Sequence, residues 1–336
     1  MDSQESKNAV VLYGFLRTYK TTFNSLIKNI IIPNKADLII FAPNREGAAK
    51  FDKLYNNDAN DSESVSEQDL KNTYGSYLKS GILYKYDEHN IIKDICFDNV
   101  DIIANISPKR VASTFYHIKK SLETLELYEK EHNFKYDNII LTRGDIAFYS
   151  KLNIDNYNLN NINIPKGINF RRDSGEFVIQ SQPVYYYKNV LKGVSIPANM
   201  YRFNDLFIVS KRDNIINLKN LYNNFQQMLD DKIPCNPETM MFYELFINND
   251  LKIENSLDMI CELFRPNYKD IENINDLPLY LNIRKLTNQE EKILRNPKFY
   301  KLYYKFKYLF NKQKYCEKKE IINTILKRFS LHNFQK

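Results

Sequence analysis

The opening forty residues constrain the fold most tightly. Residues 9–13 (Ala-Val-Val-Leu-Tyr) are a short apolar run and Gly14-Phe15-Leu16-Arg17-Thr18 is a turn. Residues 19–29 then carry apolar side chains at helical spacing, and Asp37-Leu38-Ile39-Ile40-Phe41 is a second apolar run. Strand, glycine turn, helix and strand in that order make a β-α-β unit, whose crossover sets its two strands parallel. In open α/β sheets, ligands gather at the carboxyl ends of such strands. The chain is therefore expected to be an α/β protein with its chemistry in the residues that follow apolar runs.

Later segments repeat that logic. Ser107-Pro108 opens a helix expected to reach His132, with Ser107 as N-cap and Pro108 at the first helical position; Val111, Phe115, Ile118, Leu122 and Leu125 are its apolar residues. Tyr136-Asp137-Asn138-Ile139-Ile140-Leu141-Thr142 follows as a buried strand and delivers Arg143-Gly144-Asp145 at its end. Residues 205–209 read as another short strand, 214–229 as a helix, and Pro237-Glu238 as the start of one more, with Met241, Leu245 and Phe246 on its apolar side. Weaker strands are expected at 176–180 and 251–254. Residues 52–68 are too polar and acidic to join a core and read as a mobile loop or an insertion.

Charge divides the chain in two. Of 336 residues, 48 are Lys or Arg and 41 Asp or Glu, a net charge of +7. Between Arg284 and Lys336 lie 15 of the basic and 4 of the acidic residues, leaving 33 basic and 37 acidic residues in 1–283. A mildly acidic body is a poor nucleic-acid surface, so the basic character belongs to a tail. With 43% hydrophobic residues the chain can bury a core. No apolar run approaches the ~18 residues of a membrane span. The N-terminus, Met-Asp-Ser-Gln-Glu-Ser, is acidic where a signal peptide is basic and then apolar, so a cytoplasmic protein is expected. Cys96, Cys235, Cys261 and Cys316 are far apart and the chain has four His, a pattern that indicates neither a zinc site nor a disulfide framework.

Four features at strand ends or helix starts can carry chemistry. Gly14 lets the backbone approach a ligand, and Arg17 beyond it offers a planar fork for phosphate; no further glycines complete a dinucleotide fingerprint. Arg143 and Asp145, two residues apart after an apolar strand, fall on one side of the sheet end, as a phosphate-binding pair or as a structural ion pair. Asp205 precedes a strand, where it is a turn former or a functional carboxylate. Glu238 lies in a first helical turn, where the helix dipole favours a carboxylate whatever it does.

Together these segments resemble the nucleotide-sugar glycosyltransferases of GT-A type found in gene clusters for bacterial capsule and lipooligosaccharide, with relatives in large viruses. The resemblance lies in Val10-Val11-Leu12-Tyr13-Gly14-Phe15-Leu16-Arg17, in Tyr136-Asp137 with Thr142-Arg143-Gly144-Asp145, and in Asn204-Asp205-Leu206-Phe207-Ile208-Val209-Ser210 with Pro237-Glu238. It covers about residues 8–255. It implies a GT-A-like Rossmann-type sheet flanked by helices over residues 1–283, with a basic helical tail at 284–336. It also implies transfer of a sugar from a nucleotide diphosphate donor to a glycan hydroxyl. In that picture Gly14, Arg17, Arg143 and Asp145 bind the donor, Asp145 standing where the family's Asp-x-Asp holds Mn or Mg. Asp205 or Glu238 lies near the acceptor as general base, with Glu238 preferred. No Asp-x-Asp occurs in this chain, so leaving-group charge falls either to a metal on Asp145 or to Arg17 and Arg143. Asp145→Ala is expected to abolish transfer and leave the fold intact.

The tail supports two readings. On a helix, Phe299, Leu302, Tyr303, Phe306, Leu309 and Phe310 form one stripe, with Lys298, Lys301, Lys305 and Lys312 on the other side. Such a helix suits an anionic membrane face, where a lipid-linked acceptor would be built, or it packs on the body with its lysines solvated. The rival function is nucleic-acid binding through the tail's lysines and aromatic rings, although the acidic body makes that unexpected.

Overall fold

The computed structural model describes residues 6–47, 63–98, 100, 107–148, 150–165, 168–171, 176–179, 182–183, 202–257, 259 and 261–263. The expected tail at 284–336 and most of the expected acidic loop, residues 52–62, lie outside the described residues. The chain divides into two compact units, residues 1–166 with 181–269 and residues 167–180 with 270–336.

The first unit opens with β1 (Asn8–Tyr13), α1 (Tyr19–Leu26) and β2 (Ala36–Pro43). It continues through α2 (Glu67–Tyr74), β3 (Leu78–Tyr84), α3 (Glu88–Ile92) and α4 (Pro108–Glu131). Then β4 (Asn138–Thr142) and β5 (Ile146–Phe148) flank Arg143-Gly144-Asp145, before β6 (Ile162–Pro165). In the second unit the described residues form one antiparallel pair, β7 (Ile168–Arg171) and β8 (Glu176–Ile179). The first unit resumes with the short pair β9 (Gln182–Pro183) and β10 (Arg202–Phe203), then β11 (Phe207–Lys211). Helical pieces α5 (Arg212–Ile216), α6 (Asn220–Asn223), α7 (Phe225–Asp230) and α8 (Pro237–Phe242) lead to β12 (Ile253–Leu257) and β13 (Cys261–Leu263).

Seven strands form one sheet in the order β12-β6-β11-β4-β1-β2-β3. β3, β2, β1 and β4 run parallel, as the opening unit requires, and β11 runs antiparallel to both β4 and β6. The side chains of β1 alternate between two cores. Ala9, Val11 and Tyr13 pack with the Val111, Phe115, Ile118, Leu122 and Leu125 face of α4, whereas Val10 and Leu12 pack with Leu26, Ile30 and Tyr74. A strand apolar on both faces must be central in a sheet covered on both sides, and β1 is buried along its whole length. Among the described residues, no helix is long and apolar enough to cross a membrane.

Several local expectations shift. The strand expected at 205–209 begins at Phe207, because the Asn204 side chain accepts from the Leu206 amide at 3.0 Å and turns the chain there. The helix expected over 214–229 is broken into short pieces, in keeping with the weak helix propensity of Asn217, Asn220, Asn223 and Asn224. Ser107 stands at the N-cap position of α4 but makes no side-chain cap hydrogen bond.

Candidate active site

The end of β1 departs from the strand through backbone that few residues tolerate. Gly14 has φ +83°, and Arg17 has φ 50°, left-handed in a residue with a Cβ. The Arg17 amide donates to the Glu46 carbonyl at 2.8 Å, which fixes the turn beyond β1 against the segment beyond β2. Gly144 explains how the β4 turn reaches the same place. A Cβ there would stand 3.2 Å from the Leu16 carbonyl oxygen and 3.4 Å from its Cα, so glycine permits a close approach of the two turns.

That approach brings Arg17, Arg143 and Asp145 together. Asp145 is fully buried. Its Oδ1 accepts from Arg143 Nε at 2.9 Å, and its Oδ2 accepts from Arg143 Nη2 and Arg17 Nη1, both at 3.0 Å. One carboxylate thus holds two guanidinium groups. Burial and the like charge of Arg143 and Arg110 push Arg17 down to about 10 despite Asp145. For Arg143, burial opposes the charge, but Asp145, Tyr13 and Asp205 outweigh it and raise its affinity for the proton.

Two more carboxyl groups belong to the same region. The Tyr13 hydroxyl donates to the Asp205 backbone carbonyl at 2.7 Å, which ties the end of β1 to the turn before β11. Burial and then Asp205, Asp145 and Glu238 raise the pKa of the Tyr13 hydroxyl, although Arg143 opposes them. Glu238 is brought in by the cap of α8, where the Asn236 side chain accepts from the Thr239 amide at 2.9 Å and Pro237 occupies the first turn. Burial and then the neighbouring Asp205 push Glu238 up to about 8. Asp205 is raised as well, by burial against the pull of Arg143. Three buried polar atoms here have no hydrogen-bond partner among the described residues: Glu238 Oε2, Asn204 Nδ2 and Asn236 Nδ2. Buried polar groups are nearly always paired, so such a cluster suits a polar ligand.

An aromatic wall stands at the ends of β1, β2 and β3. Phe15 and Tyr86 have ring centroids 4.9 Å apart, and the Arg45 guanidinium lies 5.7 Å and 5.0 Å from the two rings. His117 of α4 stacks on Tyr86; its Nε2 meets the Tyr84 hydroxyl at 2.8 Å and its Nδ1 the Ser113 carbonyl at 2.6 Å. Burial lowers His117 to about 4, so it is neutral, donating from Nδ1 and accepting from Tyr84.

All the residues singled out in the sequence, Gly14, Arg17, Arg143, Asp145, Asp205 and Glu238, therefore occupy one end of the sheet. Sequence reasoning missed Tyr13, Asn204, Asn236 and the Phe15–Arg45–Tyr86–His117 wall. Tyr13, Asn204 and Asn236 each lie within two residues of a chosen one, and their polar ends beside apolar runs are the signal that could have found them.

No protein-family model matches the chain, and no curated protein matches it in sequence. A solved structure of the galactosyltransferase LgtC in complex with donor and acceptor sugar analogues is similar to it with a TM-score of 0.38 and 9% identity, over 71% of this chain and 70% of that one. A likeness so slight carries no argument about function.

Proposed function

We propose that the chain is a glycosyltransferase that moves a sugar from a nucleotide diphosphate donor to a hydroxyl of a surface polysaccharide, capsule or lipooligosaccharide. The observation that carries this reading is the pairing, at the carboxyl ends of the parallel strands β1 and β4, of a two-arginine clamp with two carboxyl groups of raised pKa. The resemblance of the strand-end segments to the GT-A enzymes supports it. In the reaction the bond from the anomeric carbon to the phosphate oxygen breaks, with its electrons leaving on the diphosphate. The acceptor oxygen forms the new bond to that carbon and gives up its proton.

Each part of that chemistry has a candidate group. Arg17 and Arg143 meet the leaving diphosphate, where fixed positive groups stabilise developing charge. Glu238 takes the acceptor proton in an inverting transfer, because its Oε2 is unpartnered and a pKa of about 8 makes it an effective base near neutrality. Asn204 and Asn236 offer buried amides to sugar hydroxyls, and the Phe15–Tyr86 wall offers ring faces to the base of the donor. The basic tail brings the enzyme to a lipid-linked acceptor at the inner membrane face; flotation of the full chain with anionic liposomes tests that part.

The direct test incubates the full chain with a panel of nucleotide sugars and follows nucleoside diphosphate release by mass spectrometry. One donor should be consumed by the wild type and not by Glu238→Gln. Consumption of none would remove the assignment, and equal consumption by both would remove Glu238 as the base.

A further inference from the structure

We propose that this chain binds the diphosphate of its donor with guanidinium groups alone, without a divalent cation. The inference rests on the glycosyltransferase reading above and departs from the Mn or Mg that the resemblance implies.

The residues present do not fit a metal. Asp145 is fully buried, and guanidinium nitrogens at 2.9–3.0 Å occupy both of its oxygens. A cation there must first expel positive charge already seated on the carboxylate. Hard divalent ions also want several oxygen ligands, whereas among the described residues no three His, Cys, Asp or Glu side chains gather to hold an ion. Asp145 therefore acts as a positioning residue, orienting two planar forks.

What is built in its place is positive. Two guanidinium groups face one carboxylate, while Asp205 acts electrostatically on Arg143 and Arg110 on Arg17. Arg45 stands at the end of the next strand, against Phe15 and Tyr86. A guanidinium presents five N–H donors in a geometry that matches phosphate oxygens two at a time, and it needs no metal to do so. The close approach at Gly144 and the strained backbone at Arg17 hold the clamp in place before any ligand arrives.

Calorimetric titration of the full chain with ADP, GDP, UDP and CDP, each in EDTA and again in manganese, tests this. One nucleotide should bind equally well in both conditions, and Arg17→Lys should weaken it in EDTA by about tenfold or more, since lysine cannot replace a fork. Binding that requires manganese would overturn metal-free recognition while leaving the glycosyltransferase reading standing. Binding of none of the four in either condition would overturn both. The comparison of EDTA with manganese uses the wild-type chain and does not depend on the variant folding.

Discussion

The two ends of β4 each carry a buried ionic cluster, built to opposite rules. At the amino end, where Asn138 pairs with Lys211, Glu129 of α4 accepts from Arg212 through Nε at 2.8 Å and Nη2 at 2.7 Å, and also from the Tyr136 amide at 2.9 Å. Arg212 also reaches Glu126 at 3.6 Å and Asp213 at 3.2 Å, and Lys219 pairs with Glu126 at 2.6 Å, so every charge there has a partner, and the Glu129 carboxylate locks α4 to the strands it covers. At the carboxyl end, where Thr142 pairs with Phe207, two arginines share Asp145 while Asp205 and Glu238 crowd beside them. There a carboxyl oxygen and two amides are left unpartnered among the described residues. A buried charge is therefore no sign of function by itself. Crowded acids and orphaned atoms distinguish a site from a lock.

The largest expected difference between the two ends is catalytic. Asp145→Ala should remove all measurable transfer, whereas Glu129→Ala should leave turnover per folded molecule unchanged. Asp145→Ala should also lower stability in urea melts by about 3–5 kcal/mol, because it strands buried guanidinium charge, whereas Glu129→Ala should cost less, since Arg212 keeps Glu126 and Asp213. Asp145→Ala is still expected to leave the fold intact, at lower stability.

Next in size, Glu238→Gln should slow transfer by ~10²–10⁴-fold if Glu238 is the base, and Asp205→Asn by less. The reverse order, measured with the same donor, would reassign the base to Asp205. The wild-type rate should climb with pH as Glu238 loses its proton near pH 8, and Glu238→Gln should flatten that rise.

Stability should move the other way. The folded chain holds the Glu238 proton up to about pH 8, while the unfolded chain releases it near the ordinary glutamate value of 4.5. The stabilisation is then full below the unfolded value and is lost as pH rises through the folded one. Melting temperatures of the wild type should accordingly fall between those limits more than those of Glu238→Gln. The smallest effect is expected of Tyr13→Phe, which removes one hydrogen bond to Asp205 and should cost roughly 1 kcal/mol in a urea melt.

Much of the fold was legible because it is local. The apolar run from Ala9 to Tyr13 needs burial on two faces, and Ser107-Pro108 starts α4 where a proline at the first turn belongs. Less legible were segments whose conformation depends on distant partners. β11 starts two residues later than expected because Asn204 turns the chain onto the Leu206 amide, and Tyr13, some 190 residues earlier in the chain, donates to the Asp205 carbonyl. The Asn-rich pieces between α5 and α7 have apolar spacing but weak helix propensity, and propensity decided the breaks.

The sequence by itself determined the sheet's parallel half and the six residues that meet at its end, since strand, turn and helix follow from neighbours in the chain. The tertiary structure alone decided what those residues are to one another. Arg17 reaches Asp145 across 128 positions, and Glu238 is pushed up to about 8 by burial and by Asp205. Pairing and desolvation are properties of the packed chain, and so the contact of Arg17 with Asp145 could be read only from the packing.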